Sequence, residues 1–239
     1  MMKAYIGEMT IPTYRTGAPE RLPLFFEKRQ YQGASGKIYP LRYTSELHDE
    51  KANQTYRTGV VESKYIRAVV MPQIGGKIYS AVMKDSGYEF VYGNTVVKPA
   101  MIGLAGPWVS GGIEFNWPQH HRPTTFMPVD FLVKDGKVWV GETEPFYGMH
   151  AATAIFVPEG TSLLTAETTV YNASPIAHPF MWWANLAVKI DRDFRVVFPP
   201  DTEYVNDHDR RAVLSWPVAK GIYHTGRPFD YGKGTDIHI

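Results

Sequence analysis

The densest cluster of chemically useful side chains in this sequence runs from Trp108 to Pro123. It contains Trp108, Glu114, Asn116, Trp117, His120, His121 and Arg122. A carboxylate, an amide, imidazoles, a guanidinium and indoles stand close together there. Such a set offers hydrogen-bond donors and acceptors to a hydroxyl-rich ligand, with indole faces on which an apolar C–H surface can stack. Gly111-Gly112 lies in the middle. It opens backbone conformations closed to other residues and allows close approach of a ligand. Groups of this kind are usually carried on loops that a rigid sheet holds in place. The chemistry expected of the segment is recognition of a polar, ring-shaped small molecule. Glu114 and His121 are its candidate proton-transfer groups, and Trp108, Asn116, His120 and Arg122 its candidate binding groups.

His178 is the second candidate. It precedes the aromatic run Pro179-Phe180-Met181-Trp182-Trp183, and Asn185 follows. A near-neutral imidazole facing a cleft suits proton transfer to or from an oxygen. The alternative is a core histidine bonded to backbone. Trp182 is the stacking platform expected beside it. A metal-dependent reading would use His120, His121 and Glu114. Adjacent histidines on a strand point to opposite faces, however, and no HExxH spacing accompanies them. The carboxylate pairs Glu142/Glu144 and Asp201/Glu203 resemble the two acids of a glycosidase, but surface charge explains them more simply. No GxSxG, Walker or GxGxxG pattern occurs, which leaves serine hydrolase, NTPase and Rossmann readings without support.

The elements that position these residues read as strands. Phe131–Lys134 and Lys137–Val140 flank Asp135-Gly136, a two-residue hairpin signal. Ile78–Met83 and Tyr88–Tyr92 flank Lys84-Asp85-Ser86-Gly87. Ala154–Val157 and Leu164–Val170 flank Pro158-Glu159-Gly160-Thr161. Tyr65–Met71 reads as a strand stopped by Pro72. Phe180–Val188 is nearly all apolar and is expected in the middle of a sheet. Phe194–Phe198 reads as another strand, closed by Pro199-Pro200. The best helical candidate, Ser45–Gln54, is polar all round, so a loop or single turn fits it equally well. Many short strands at regular spacing imply an all-β sandwich.

Composition narrows the classes. An apolar fraction of 44% supports a sizeable core. With 25 basic and 24 acidic residues well mixed, nothing marks a nucleic-acid or membrane-binding stripe. The absence of cysteine removes disulfides, thiolate metal sites and cysteine nucleophiles. No signal peptide is visible, so cytoplasm is the expected location. No cofactor is expected.

Longer stretches carry a family resemblance. The run Tyr171–Leu186, in which a polar strand leads through Pro175 to His178, aromatics and Asn185-Leu186, resembles a segment of the aldose 1-epimerases. Pro72-Gln73-Ile74-Gly75-Gly76-Lys77-Ile78 resembles their early Pro-x-x-Gly-Gly-x-Ile stretch. The chain is also similar to an uncharacterised bacterial family with an N-terminal galactose-mutarotase-like domain followed by tetratricopeptide repeats. The motifs that carry this are Gly33–Pro40, Pro72–Ile78, Tyr92–Pro99, Trp108–Asn116 and His178–Val188. The resemblance implies a large antiparallel sandwich of galactose-mutarotase-like (supersandwich) type. Residues 1–60 would be its N-terminal strands and wrapping segment, and 61–239 the first part of the sandwich, incomplete at the C-terminus, in one structural domain overall. It further implies a sugar or oligosaccharide ligand, with His178 as the general acid that protonates a ring oxygen and no counterpart of the family's glutamate base. Glycan-binding or scaffold use within a larger repeat protein is the non-catalytic alternative. An unfinished sheet would also favour a homodimer through sheet edges.

Overall fold

A computed structural model of the chain describes residues 3–23, 38–118, 121–145, 147–207, 212–216, 220–222, 226 and 228–230. His120 lies outside the described residues, as do most of the Gly33–Pro40 motif and the last nine positions. The described chain is all-β, with no helix, and divides into two compact units, Met1–Lys189 and Ile190–Ile239.

The first unit contains β1 (Lys3–Thr16), β2 (Leu47–Glu62), β3 (Ile66–Met71), β4 (Lys77–Met83), β5 (Glu89–Val91), β6 (Ala100–Gly103) and β7 (Gly106–Trp108). It continues with β8 (Ile113–Asn116), β9 (Asp130–Lys134), β10 (Lys137–Thr143), β11 (Met149–Phe156), β12 (Thr165–Asn172) and β13 (Trp183–Leu186). The larger sheet has the order β1-β2-β3-β4-β8-β13, with β5 pairing β4. The smaller is the meander β12-β11-β10-β9, and β6 and β7 form a short ribbon.

Three hairpins arise where local turn chemistry asks for them. Asp135 and Gly136 both take positive φ, 52° and 71°, the backbone of a type I′ turn between β9 and β10. β4 meets β5 around Gly87 at φ 70°, and β11 meets β12 across Pro158–Leu164. Strand β3 ends at Met71, before Pro72, which has no N–H for the ladder.

Alternation then sorts side chains between faces. Ala68, Val70, Ile78 and Phe115 of the large sheet pack against Val138, Val140 and Ile155 of the small one. This is the dry layer of an antiparallel sandwich, where each large apolar side chain contributes about 1.5–3 kcal/mol by burial. The opposite, outer face of the large sheet carries a second cluster. Tyr79, Met71 and Tyr56 are covered there by Val97 and Val109 from the connecting segments.

Three sequence expectations are corrected. Ser45–Gln54 is neither helix, turn nor loop in its larger part: from Leu47 onward it belongs to β2, paired with β1 in a long ribbon. Its side chains 48–55 are exposed, so no apolar alternation marks the strand. Phe180–Val188 does not run mid-sheet. Only Trp183–Leu186 is strand, and among the described residues it pairs with β8 alone, as the last strand of the path. Trp182 and Trp183 make ring contacts on opposite faces, while Phe180, Met181, Leu186 and Val188 are exposed. Phe194–Phe198 forms no ladder among the described residues.

The second unit contains two short hairpins. β14 (Tyr204–Asp207) pairs with β15 (Ala212–Ser215), and β16 (Lys220–Ile222) with β17 (Pro228–Asp230). Phe198 and Trp216 place their rings 4.3 Å apart within it.

The turn between β3 and β4 is tightly packed. Gly75 adopts φ 65°, and a Cβ there would run into the Thr125 backbone carbonyl. Gly75→Ala should lower the unfolding free energy by about 3 kcal/mol through strain and overpacking. Gly87→Ala, at φ 70° with open space around it, should cost about 1 kcal/mol. Urea denaturation of both variants checks this. Equal losses would show that the Thr125 contact imposes no constraint.

Candidate functional site

Strand β8 builds the site by parity. Ile113 and Phe115 face the sandwich interior, so Glu114 and Asn116 face outward. Both are nonetheless buried, at 4% and 0% exposure. Cross-strand pairing adds Trp183 opposite Asn116 and Asn185 opposite Glu114, on the same face. Gly112 starts the strand at φ 72°, so close to the Ile78 carbonyl that no Cβ fits. Its amide donates to Tyr92 O, and its carbonyl accepts from Ala187 N, each at 2.8 Å.

The Glu114 carboxylate is compensated from several sides. Trp108 Nε1 donates to Oε1 at 3.1 Å. His121 Nδ1 lies 3.5 Å from each carboxylate oxygen. Lys77, 2% exposed, donates from Nζ to Val109 O at 2.6 Å and to Gly111 O at 2.8 Å. Burial alone would push the Glu114 carboxyl up. The His121 hydrogen bond, the His121 and Lys77 charges and the Trp108 bond outweigh it and hold the group below the usual 4.5. Burial pulls the Lys77 ammonium down to about 8, against the attraction of Glu114. Glu114 is therefore an ionised acceptor near neutral pH.

Three buried polar atoms here lack hydrogen bonds: Glu114 Oε2, Asn116 Nδ2 and Trp183 Nε1. Native structures leave few such atoms, and each costs about 1–3 kcal/mol when unsatisfied. Asn116 Oδ1 is used, accepting from Arg122 N at 3.0 Å. The His121 imidazole lies edge-on to two indoles, with ring centroids 4.7 Å from Trp183 and 6.4 Å from Trp108.

The expected site residues thus separate. Glu114, His121, Trp108 and Asn116 come together on the outer face. Arg122 turns into the sandwich instead: Nη1 lies 3.2 Å from Glu142 Oε1, and Nη2 donates to Gly75 O. Glu142 also accepts from Thr124 Oγ1 at 2.8 Å. Glu144 accepts from the amides of Tyr147 and Met149, at 2.8 and 3.1 Å, and closes the β10–β11 turn. Both carboxylates are committed to structure.

Trp182 stacks on Phe115, at 6.3 Å, on the side facing the small sheet. His178 is on that side too. Its ring lies 4.5 Å from Tyr147, which packs on Trp117, Met149 and Ala151. The sheet therefore separates His178 and Trp182 from Glu114. Among the described residues, no three His, Asp or Glu side chains converge as a metal would require. Sequence reasoning missed Trp183, one position from Trp182, and Lys77. Parity with Asn116 would have favoured Trp183, and a lysine among strand apolars beside Gly75-Gly76 was a visible signal for the other.

A family model for a domain of unknown function, DUF5107, matches residues 34–237. The chain belongs to this family. Among solved structures, this DUF5107 chain is similar to a TPR-domain containing protein from Parabacteroides distasonis ATCC 8503. The TM-score is 0.66 at 26% identity, covering 77% of this chain and 32% of that one. The DUF5107 chain thus spans about a third of the length of that relative.

The electrostatics of Glu114 make acid stability a readout. Its folded-state pKa is depressed, so it stabilises the fold above the unfolded value of 4.5, and this contribution is lost as pH falls through the lower folded value. Glu114→Gln should therefore be less stable than wild type at about pH 7, with the gap narrowing below about pH 4.5. Denaturant midpoints across that range check it. A gap that widens in acid would refute an ionised, compensated Glu114.

Proposed function

We propose that this domain is a mutarotase-like carbohydrate-binding module whose sugar site is the outer face of the large sheet at β8 and β13. The observation that carries the reading is the group of buried atoms without a hydrogen bond, Glu114 Oε2, Asn116 Nδ2 and Trp183 Nε1, beside two indole rings. An ionised acceptor, two fixed donors and flat apolar faces suit a ring that presents hydroxyls at its edge and C–H groups on its face. These atoms are shut off from solvent in this conformation. His121, whose side chain is 23% exposed, is the route of entry. Engagement requires its imidazole to swing aside.

Recognition is favoured over the aldose 1-epimerase reaction with His178 as acid, because His178 and Glu114 belong to opposite faces of the sheet. The DUF5107 family and the TPR-domain containing relative are compatible with a module of a longer protein. A second reading rests on the 3.5 Å approach of His121 to Glu114. A carboxylate that orients an imidazole is an acid–base pair, and it would interconvert anomers at the same site.

Titration with a panel of neutral monosaccharides, followed by NMR, tests the module. A binding sugar should shift the Trp108 and Trp183 indole signals and the His121 ring. Trp183→Ala or Glu114→Gln should weaken it by about tenfold or more, whereas His178→Ala should leave it unchanged. Shifts confined to Trp182 and His178 would sink the assignment, as would a silent panel. Polarimetry separates the second reading. Accelerated mutarotation that is lost in His121→Asn supports it, and binding without acceleration removes it.

A further inference from the structure

A separate cleft of about 770 Å³ opens on the outer face of the large sheet, against the β1–β2 ribbon. We propose that it is a second ligand site and that it takes a polyhydroxylated carboxylate, a sugar acid of the uronate class. Its volume suits one or two sugar rings, within the roughly 300–1,000 Å³ usual for small-molecule sites.

The lining divides by chemistry. Ile74, Val97, Val109 and Phe126 make an apolar floor, continuous with the outer-face cluster. Thr13, Asn53, Gln54 and Gln73 supply hydroxyl and amide groups along the walls. Gln73 is fixed by its oxygen, which accepts from Arg57 N at 2.7 Å, so its NH₂ group is left to a ligand. Tyr56 is held by a 3.0 Å hydrogen bond to Thr13. An apolar floor under a polar wall matches the face and edge of a sugar ring.

Charge decides the class. Tyr14 lines the cleft, and its ring lies 4.7 Å from the Lys98 ammonium and 5.7 Å from that of Lys51. Neither lysine forms an ion pair among the described residues. Arg15 also lines the cleft. Its contact with Glu50 is 3.9 Å between largely exposed groups, so it gives up little on turning to a ligand. Arg15 in the lining, with Lys51 and Lys98 over the Tyr14 ring at its margin, favours an anion, while the amides and hydroxyls require that the anion also carry hydroxyl groups.

The cleft is distinct from the Glu114 site. Trp108 reaches Glu114, whereas its neighbour Val109 points into the cleft floor. The Val109 carbonyl is itself anchored by Lys77. One short strap therefore borders two sites.

The experiment is an amide-resolved NMR titration at fixed ionic strength with glucuronate, galacturonate and their short oligomers. Inorganic phosphate, polyglutamate and neutral glucose serve as comparisons. A uronate should shift amides in 13–16, 52–55 and 73–74. Lys51→Met/Lys98→Met should weaken it by about tenfold, and Ala52→Trp, which fills the cleft from an exposed strand position, should abolish it. Unchanged circular dichroism confirms that the variants fold. Silence to every uronate overturns the proposal. So does binding that survives Ala52→Trp, or phosphate or polyglutamate binding as tightly as uronate, which would leave only a non-specific cationic patch. The neutral-sugar site is read separately at Trp108 and Trp183, so its failure leaves this result standing, and the reverse.

Discussion

The arrangement of the outer face depends on a carboxylate that cannot reach water. Strand parity places Glu114 on the outer face of β8, where it is nonetheless covered, and an isolated charge there would be untenable. Trp108, His121 and Lys77 make it tolerable. Lys77 is a buried ammonium with the same difficulty, and it is satisfied by carbonyls of the strap 109–111. Those carbonyls can turn toward it because Gly111 and Gly112 adopt positive φ, 86° and 72°. Each group thus answers the desolvation of the next. Removing any one leaves an uncompensated neighbour, which is the usual behaviour of buried polar networks.

The same chain of constraints explains why a second charged pair is not part of the site. Arg122 follows Glu114 closely in sequence, yet its backbone amide is held by Asn116 while its guanidinium passes between the sheets to Glu142 and Gly75. Its work is to tie β10 to the β3–β4 turn. Residues neighbouring in sequence are divided by the sheet between its outer face and the sandwich interior.

Local signals carried much of the fold and little of this division. The Asp135-Gly136 hairpin was legible because its backbone demand is met within two residues. The Leu47–Gln54 half of β2 was not, because a ribbon exposed on both faces needs no apolar alternation, and its pairing partner β1 is distant in sequence. The Trp108–Arg122 cluster was visible as composition. Its sorting was not, because parity relative to β8 depends on register with β13, a long-range property. That one-residue dependence puts Trp183, not the expected Trp182, on the face of Glu114. It also leaves His178, whose general-acid role was implied by resemblance, beside Tyr147 on the side away from Glu114.

Strand register therefore bears directly on mechanism. An imidazole and a carboxylate can share a proton route only if their side chains project to one face or meet at an edge. Glu114 and His121 satisfy this by meeting at 3.5 Å, His121 lying beyond the end of β8, where alternation no longer applies. His178 precedes a strand whose alternation does apply, with Ala184 opposite Phe115 and Trp183 opposite Asn116. In this sandwich the outward positions of β8 carry the polar side chains and the inward ones the packing. Side chains outside the strands escape the alternation, and His121 reaches Glu114 from such a position.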